Sequence, residues 1–274
     1  MDWAEISKIW IEMSDQIEAT HRPVHDALMA RSKLRAGEKV IDIGFGTGDT
    51  ILDIAKAVGE TGQVLGLDIA PQMVEHVADR VKGEAGGTVR LVCGDAQLFA
   101  FEPGAADVVI SKFGLMFFAD TGAAFANIIR ALRPGGRMIF AAWGAPAANP
   151  FFRIPRQAAM RHLGVEPPPP TPDAPGPMRF GDPDPVLEKL RRAGWEADVE
   201  TVDLHLTPGG TPGKLARSQL KIGPAAFLIA ECEADDTAKT AIVDDLTATY
   251  DGMVQDEQVR IPAQIHFFAA RRPR

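Results

Sequence analysis

The sequence predicts an α/β fold in which helices cover both faces of one mostly parallel sheet. Strand-like and helix-like segments alternate from residue 39 to residue 143, and the connections between them are short. A turn containing Gly44, Gly46 and Gly48 separates the first strand from the helix that follows it. Alternation of this kind implies right-handed crossovers, which wind helices onto both faces of an open sheet.

The elements of the first half follow from apolar periodicity and from turn and capping residues. In chain order they are helices over 5–18 and 23–34, a strand over Lys39–Ile43, a helix over 48–58, a strand over Gln63–Asp68, a helix over Pro71–Lys82, strands over Thr88–Cys93 and Ala106–Ser111, a helix striped by Phe125, Ile128, Ile129 and Leu132, and a strand over Arg137–Trp143. Asp120 is expected to cap the last helix, and Pro134-Gly135-Gly136 to end it.

The second half is less regular. Residues 166–177 hold seven prolines and are expected to form a surface loop or the edge of a lid, because proline disrupts helices and central strands. A helix is predicted from Asp182-Pro183 to Gly194, followed by strands over Trp195–Leu206 and Val259–Ala270. These bring the sheet to seven strands. The helical insertion 212–250 is expected to pack over the strand ends as a cap.

Composition narrows the range of partners. The formal net charge is -8, which repels phosphate backbones and anionic lipid heads, so neither nucleic acid nor a membrane is expected as a partner. No apolar stretch approaches the roughly 20 residues needed to cross a bilayer, and the amino terminus lacks the pattern of a signal peptide. Cys93 and Cys232 lie far apart, which gives no zinc-site spacing. A cytoplasmic protein without a metal is expected.

The glycine-rich turn carries the strongest functional signal. Glycines at a turn between strand and helix let the backbone approach a ligand, and the helix adds free N–H groups. A dinucleotide fingerprint requires its third glycine at position 49, where Asp49 stands and would repel a pyrophosphate. Asp42, two residues before the first glycine, instead suits a cofactor with a cationic amino-acid end.

Two further acids end the next two strands. Asp68 closes the second strand and is placed to accept both hydroxyls of a ribose. Asp95 closes the third and could accept a hydrogen bond from an adenine amino group. The alternative interpretation of Asp68 is a solvated acid at the end of a strand, and that of Asp95 is a helix N-cap. Three acids at successive strand ends beside a glycine turn favour a ligand site, because ligands of open α/β sheets bind at that edge.

These motifs resemble those of the seven-strand S-adenosylmethionine-dependent methyltransferases, a Rossmann-like family. The matching segments, in order, are Asp42–Gly48, Asp68, Gly94-Asp95-Ala96 and Leu132–Gly136. The resemblance is greatest to the branch that includes the ubiquinone/menaquinone-biosynthesis methyltransferases, and residues 111–120 are similar to a bacterial small-molecule subgroup. It covers residues 36–143 well and the remainder loosely. Phe45 departs from the pattern, because such proteins commonly have cysteine there.

The resemblance implies one methyltransferase domain over 1–274. Its parts are an N-terminal helical cover (1–35), a cofactor-binding core (36–143), a variable loop and helix (144–194), and the last two strands with their cap (195–274). Asp42 would hold the cofactor ammonium, Asp68 the ribose, and Ile69 with Ala96 the adenine, while Ser111, Lys112 and Phe113 would lie beside the sulfonium. The cofactor-binding residues expected in full are Trp10, Asp42, Gly44, Gly46, Thr47, Gly48, Asp68, Ile69, Met73, Gly94, Asp95, Ala96, Ser111, Lys112 and Phe113.

The expected reaction is methyl transfer from S-adenosylmethionine to a small molecule, with S-adenosylhomocysteine as the product. Methyl transfer depends largely on positioning two reactants in a dry pocket, and an oxygen acceptor usually needs a base as well. His21 is the candidate for catalysis, and Phe117, Trp143, Asn149 and Phe151 are candidates for the substrate site. The acceptor atom stays open among oxygen, carbon, nitrogen and sulfur, and a homodimer is possible.

Two other functions compete with methyl transfer. A protein of the same fold could bind S-adenosylmethionine without transferring its methyl group, since the cofactor contacts would be retained. An NAD(P)-dependent oxidoreductase is the other alternative, although the glycine spacing disfavours it.

Overall fold

A computed structural model describes residues 3–84, 88–167 and 173–274. The helices are α1 Trp3–Glu12, α2 Ser14–Ser32, α3 Asp49–Val58, α4 Pro71–Glu84, α5 Thr121–Ala131, α6 Pro150–Leu163, α7 Pro183–Arg192, α8 Pro212–Ser218, α9 Pro224–Glu231 and α10 Asp236–Asp251. The strands are β1 Lys39–Ile43, β2 Gln63–Asp68, β3 Val89–Cys93, β4 Ala106–Lys112, β5 Leu132–Trp143, β6 Glu196–Leu206, β7 Val254–Gln255, β8 Gln258–Val259 and β9 Ile261–Arg271.

Seven strands form the main sheet in the order β3-β2-β1-β4-β5-β9-β6. Strands β1 to β5 are parallel, and β9 runs antiparallel between β5 and β6. The chain builds the sheet outward from β1 to β3 and then returns to place β4 on the other side of β1. This reversal makes the carboxyl ends of β1 and β4 the switch point at which open α/β sheets bind ligands. The predicted doubly wound, mostly parallel sheet of seven strands is confirmed.

Buried apolar residues and polar caps account for the predicted elements. Residues 40–43 of β1 are buried, as expected for a central strand covered on both faces. Asp120 caps α5 as predicted, because its Oδ1 accepts a hydrogen bond from the Ala123 N–H at 3.0 Å. Asp182 caps α7 in the same way, through the Asp184 N–H at 3.1 Å.

The predicted break between the two N-terminal helices is wrong. The break falls at Met13, and α2 continues through Pro23. A proline inside a helix leaves the carbonyl four residues earlier without its usual donor, here the carbonyl of Ala19. The Thr207 hydroxyl donates to that carbonyl at 3.5 Å. A contact from a distant part of the chain thus lets one helix run through the proline.

Two other boundaries differ from the prediction. Helix α5 ends at Ala131, before the proline and glycines, because Leu132 already pairs with Ala106 in the sheet. The pairing register of β4 with β5 shifts between Ala106 and Val108. Strand β5 therefore includes residues 132–136, which were expected to lie outside it. Helix α6 was not predicted, since it begins at Pro150 and contains Pro155.

The insertion 212–250 is helical, as predicted, and consists of α8, α9 and α10. Helix α8 packs on α10, and both α9 and α10 pack on α6, which lies against β9. Because β6 runs parallel to β1–β5, the chain enters and leaves this insertion at their carboxyl edge. Its role as a cap stays a prediction, as does the division of the domain into parts. Residues 168–172 of the proline-rich segment lie outside the described residues.

No helix within residues 3–84, 88–167 and 173–274 is both long enough and apolar enough to cross a membrane.

Candidate active site

The glycine loop (residues 44–48) connects β1 to α3 at the switch point. All three of its glycines have positive φ angles: +68° at Gly44, +56° at Gly46 and +96° at Gly48. A Cβ at Gly44 would lie 3.1 Å from Gly114 Cα, and one at Gly48 would lie 2.8 Å from Val77, whereas one at Gly46 would meet nothing within 4 Å. The loop is therefore packed at both ends and open in the middle, where a ligand could approach the backbone.

Asp68, at the end of β2, holds this loop in place. Its Oδ2 accepts from the Gly46 N–H at 3.0 Å, and its Oδ1 accepts from the Ala70 N–H at 2.9 Å. Burial raises the pKa of the Asp68 carboxyl above its usual value, against the lowering effect of these two N–H groups. Each carboxylate oxygen keeps a second lone pair, so the group can still accept from a ribose.

The residues after β3 supply the third acid, and Ile69, directly after β2, supplies exposed apolar surface. The Gly94 N–H donates to the Asp68 carbonyl at 2.8 Å, which places the two strand ends side by side. Asp95 accepts from the Gln97 N–H at 2.8 Å. Ile69 exposes 49% of its surface here, whereas Ala96 is buried. An exposed isoleucine at this edge fits the predicted adenine contact, while Ala96 has little free surface for one.

Asp42, the acid on β1, is buried and unpaired. Neither carboxylate oxygen has a hydrogen-bond partner among the residues that the structure describes. Burial, reinforced by the charges of Asp49 and Asp68 and opposed by that of Lys112, raises the pKa of Asp42 well above its usual range. A buried carboxyl without a partner is costly to the fold. Its position therefore indicates a missing cationic partner.

Lys112, the last residue of β4, ion-pairs with Asp49 at the start of α3, the helix that follows the glycine loop. His25 on α2 lies on the other side of Asp49, with Nδ1 3.3 Å from Asp49 Oδ2 and Nε2 2.8 Å from Asp53 Oδ2. Although burial opposes them, Lys112 and His25 hold the pKa of Asp49 far below its usual range. Sequence reasoning missed this network, because it read Asp49 only as an obstacle to a pyrophosphate.

Four rings form an aromatic cluster (His21, Phe113, Trp143 and Phe151) beside the network. Phe113 stacks on Trp143 with ring centroids 4.5 Å apart, and Trp143 stacks on Phe151 at 6.0 Å. The His21 ring lies edge-on to all three, at 5.4, 5.7 and 6.1 Å. Phe113 has a φ of +64°, an uncommon conformation for a bulky residue, and strained residues of this kind concentrate at functional sites.

His21 is buried within this cluster and electrically neutral. Burial and the positive charge of Lys112 lower the pKa of His21 to about 3, although Asp49 opposes the shift. Its Nε2 has no hydrogen-bond partner within the described ranges. The structure thus brings the predicted catalytic histidine together with two predicted substrate residues, Trp143 and Phe151, and one predicted cofactor residue, Phe113.

Asn149 and Ser111, two further predicted site residues, form hydrogen bonds with neighbouring parts of the fold. The Asn149 amide donates to the carbonyls of Ala145 and Gln264, and its Oδ1 accepts from the Gln264 N–H at 3.1 Å. The Ser111 hydroxyl donates to the Ile43 carbonyl at 2.7 Å and accepts from the Gly114 N–H. These contacts position the ends of β4 and β5, and a substrate contact by Asn149 stays a prediction.

The remaining predicted residues lie at the margins of the site. The Thr47 carbonyl accepts from Arg80, which also pairs with Glu18 on α2 at 2.5 Å. Phe117 packs edge-on against Trp3 of α1 with centroids 5.0 Å apart. Trp10 is partly buried against the core, and Met73 is buried in it. These contacts join the N-terminal helices to the carboxyl edge of the sheet. Phe45, the departure from the family pattern, is likewise buried in the core.

The residues present fit S-adenosylmethionine. Asp42 offers an unpaired buried carboxylate, which suits the ammonium of the methionine end. The open face of Gly46 lets the backbone approach a ligand, and Asp68 lies within hydrogen-bond distance of the same residue. Ile69 offers exposed apolar surface at the adenine end. Asp42, the glycine loop, Asp68, Ile69 and Asp95 would hold the cofactor.

Two proteins of known activity are similar in sequence to this chain. It is 34% identical to a demethylmenaquinone methyltransferase of Lactococcus lactis over 119 residues, which are 42% of this chain and 47% of that protein. It is 38% identical to a ubiquinone/menaquinone biosynthesis C-methyltransferase UbiE of Burkholderia orbicola over 128 residues, 46% of this chain and 52% of that protein. The chain thus spans about half the length of these relatives.

Two further comparisons agree with the fold and the family. The crystal structure of the YcgJ protein of Bacillus subtilis superimposes with a TM-score of 0.59 over 93% of this chain and 100% of that one, at 14% identity, and this likeness shows the fold alone. The model of the ubiE/COQ5 methyltransferase family matches residues 4–157, more than half of the 274 residues. The resemblance seen in the sequence is confirmed: this chain belongs to the ubiE/COQ5 methyltransferase family.

Proposed function

We propose that the chain transfers a methyl group from S-adenosylmethionine to a small-molecule acceptor. The observation that carries this proposal is the unpaired Asp42 carboxylate beside the open glycine loop, with Asp68 and Asp95 at the next two strand ends. Membership in a methyltransferase family supports it independently. When bound, S-adenosylmethionine supplies a methyl group on a sulfonium, which a nucleophile attacks in line.

The chain's own residues bind, orient and shield the reactants. Asp68 holds Gly46 and would also accept from the ribose, so cofactor position and loop conformation would depend on each other. The aromatic cluster forms an apolar wall where β4 and β5 end, next to Lys112. Such a wall excludes water, which favours a reaction that depends on positioning. The acceptor is expected to enter along this wall, between α2 and α6.

His21 is the candidate for contact with the acceptor. Its unpaired Nε2 can accept a hydrogen bond from a hydroxyl or amine of the acceptor. A group with a pKa of about 3 is a weak base near neutral pH, so orienting the acceptor suits His21 better than removing its proton. We assign it that role at the reacting end of the pocket.

The acceptor atom stays open among oxygen, carbon, nitrogen and sulfur. The two relatives are named for menaquinone and ubiquinone biosynthesis, but the family match ends at residue 157. The insertion 212–250, which we propose as the cap of the acceptor pocket, lies beyond that limit. A cap that differs from those of the relatives would select a different acceptor. The cytoplasmic location and the possible homodimer stay predictions.

A titration followed by a turnover assay tests this function. The chain is expected to bind S-adenosylmethionine and S-adenosylhomocysteine in calorimetry and to show no saturable binding of NADH. Incubation with S-adenosylmethionine and a panel of hydroxyl, thiol, amine and activated-carbon acceptors should release S-adenosylhomocysteine with at least one of them. Saturation by NADH alone would establish the oxidoreductase alternative. Tight binding of both adenosyl ligands without turnover across the panel would favour the binding protein.

A further inference from the structure

We propose that Lys112 binds the carboxylate of the methionine end of the cofactor, opposite Asp42, which binds the ammonium. The inference rests on the proposed function and assigns Lys112 a role different from the one expected at the sulfonium. The Lys112 ammonium ion-pairs with Asp49, the first residue of α3. The two residues would then recognise both charges of an amino-acid group and determine selectivity for cofactors that carry it.

The position of Lys112 supports this assignment. It is the last residue of β4, the strand next to β1, and Asp42 lies on β1 opposite Ile110. Its ammonium reaches the first residue of α3, so its side chain passes alongside the loop that the cofactor is expected to contact. Its charge also lowers the pKa of Asp42 against the stronger effect of burial. Lys112 and Asp42 therefore lie within electrostatic range of each other.

The surroundings of Lys112 let it gain a second partner. Its side chain is 13% exposed, which keeps the ammonium next to the site rather than in bulk water. An ammonium has three donors on a flexible stem, so Lys112 can bind a carboxylate without releasing Asp49 completely. If Asp49 is released, His25 still lies 3.3 Å from it. His25 thus stays close to the Asp49 carboxylate when Lys112 binds the cofactor.

The competing interpretation is that Lys112 and Asp49 form a permanent structural pair. In that case the cofactor carboxylate would bind only to free N–H groups at the start of α3. The two interpretations differ in what happens to ligands with and without the amino-acid group. S-adenosylhomocysteine carries that group, whereas 5′-methylthioadenosine keeps the adenosine and the sulfur but lacks it.

Calorimetry with these two ligands tests the assignment. Lys112→Met should weaken binding of S-adenosylhomocysteine roughly 10- to 100-fold, the loss expected for one charge-assisted contact, and leave 5′-methylthioadenosine within about twofold. Lys112→Arg should retain most of the affinity, because the charge stays. Lys82→Met, which removes an exposed lysine from α4, is the matched control and should change neither affinity.

A second variant separates the role of Lys112 from its contribution to folding. Lys112→Met leaves Asp49 short of a partner, so Asp49→Asn/Lys112→Met removes both charges and should show the same selective loss. An equal loss for both ligands, or no loss for S-adenosylhomocysteine, would overturn the assignment. If the unmodified chain binds neither ligand, the proposed function itself fails. Binding by the unmodified chain with no selective loss in the variants rejects only the role of Lys112.

Discussion

The glycine loop and the aromatic cluster lie at the same edge of the sheet, but different interactions hold them. A hydrogen bond from the Gly46 N–H to Asp68 holds the loop, and the charged groups around it come from residues at the ends of adjacent parallel strands. The aromatic cluster is held by ring packing, and its members lie on α2, β5 and α6 and directly after β4. The loop has one geometry suited to one cofactor, whereas packed rings can be exchanged for others of similar volume. The residues expected to bind the cofactor are therefore constrained by backbone geometry, whereas the residues expected to select the acceptor can vary.

The largest expected effect is on cofactor affinity at the glycine loop. Asp68→Ala removes the expected ribose acceptor and the hydrogen bond that holds Gly46 of the loop, so affinity for S-adenosylhomocysteine should fall roughly 30- to 150-fold. Calorimetry measures the loss, and circular dichroism should show an unchanged helix content. Asp79→Ala, which removes an exposed acid from α4, should have no effect on affinity. Unchanged affinity in Asp68→Ala would reduce Asp68 to a strand-end acid.

Substitution of Asp42 should have a smaller effect on cofactor affinity, which falls, and an opposite effect on the stability of the unliganded chain, which rises. Asp42→Asn removes the partner of the ammonium and should weaken S-adenosylhomocysteine roughly 10-fold. The folded-state pKa of Asp42 lies above its unfolded value, so the stability of the unliganded chain falls as pH rises between the two values. Asparagine does not ionise, so the Asp42→Asn variant does not lose stability in this way. Its melting temperature should therefore exceed that of the unmodified chain, by a margin that grows as pH rises.

Thermal denaturation without ligand at several pH values measures this margin. A melting temperature of Asp42→Asn that stays below that of the unmodified chain at every pH would show that Asp42 has an undetected partner in the fold. That result would also remove its reason for binding an ammonium.

On the acceptor side, His21→Phe should separate the two regions. A phenyl ring preserves the packing of the aromatic cluster but cannot hydrogen-bond the acceptor. Once an acceptor is known, kcat/KM for it should fall about 10-fold, while affinity for S-adenosylhomocysteine should stay within about twofold. His205→Phe, on the exposed edge strand β6, is the control. A parallel loss of cofactor affinity would mean that the two regions are not independent.

The smallest effect concerns the contact between the insertion 212–250 and the N-terminal helices. Ser218 of α8 accepts a hydrogen bond from the Gln16 amide of α2 at 3.0 Å. Ser218→Ala should lower the free energy of unfolding by about 1 kcal/mol and leave cofactor affinity unchanged. Urea denaturation checks the first expectation and calorimetry the second. Weaker cofactor binding in this variant would show that the insertion 212–250 contributes to the cofactor site.

Sequence reasoning succeeded where local patterns determine the structure. The sheet, the glycine loop, the Asp120 cap and the strand-end acids follow from periodicity and from residues close together in the chain. It failed where distant contacts decide the outcome. Pro23 stays inside α2 because Thr207 satisfies the Ala19 carbonyl, nearly two hundred residues away. The pairing of Lys112 with Asp49, and the surroundings of His21, likewise depend on how separate elements pack.

A crystal structure with bound S-adenosylhomocysteine would show whether the carboxyl ends of β1 and β2 form the cofactor site. We expect the ribose at Asp68, the adenine against Ile69, and the amino-acid end between Asp42 and Lys112, with the aromatic cluster unchanged around an empty acceptor space. Density for the ligand away from the carboxyl ends of β1 and β2, or an amino-acid end pointing away from Asp42, would contradict this expectation.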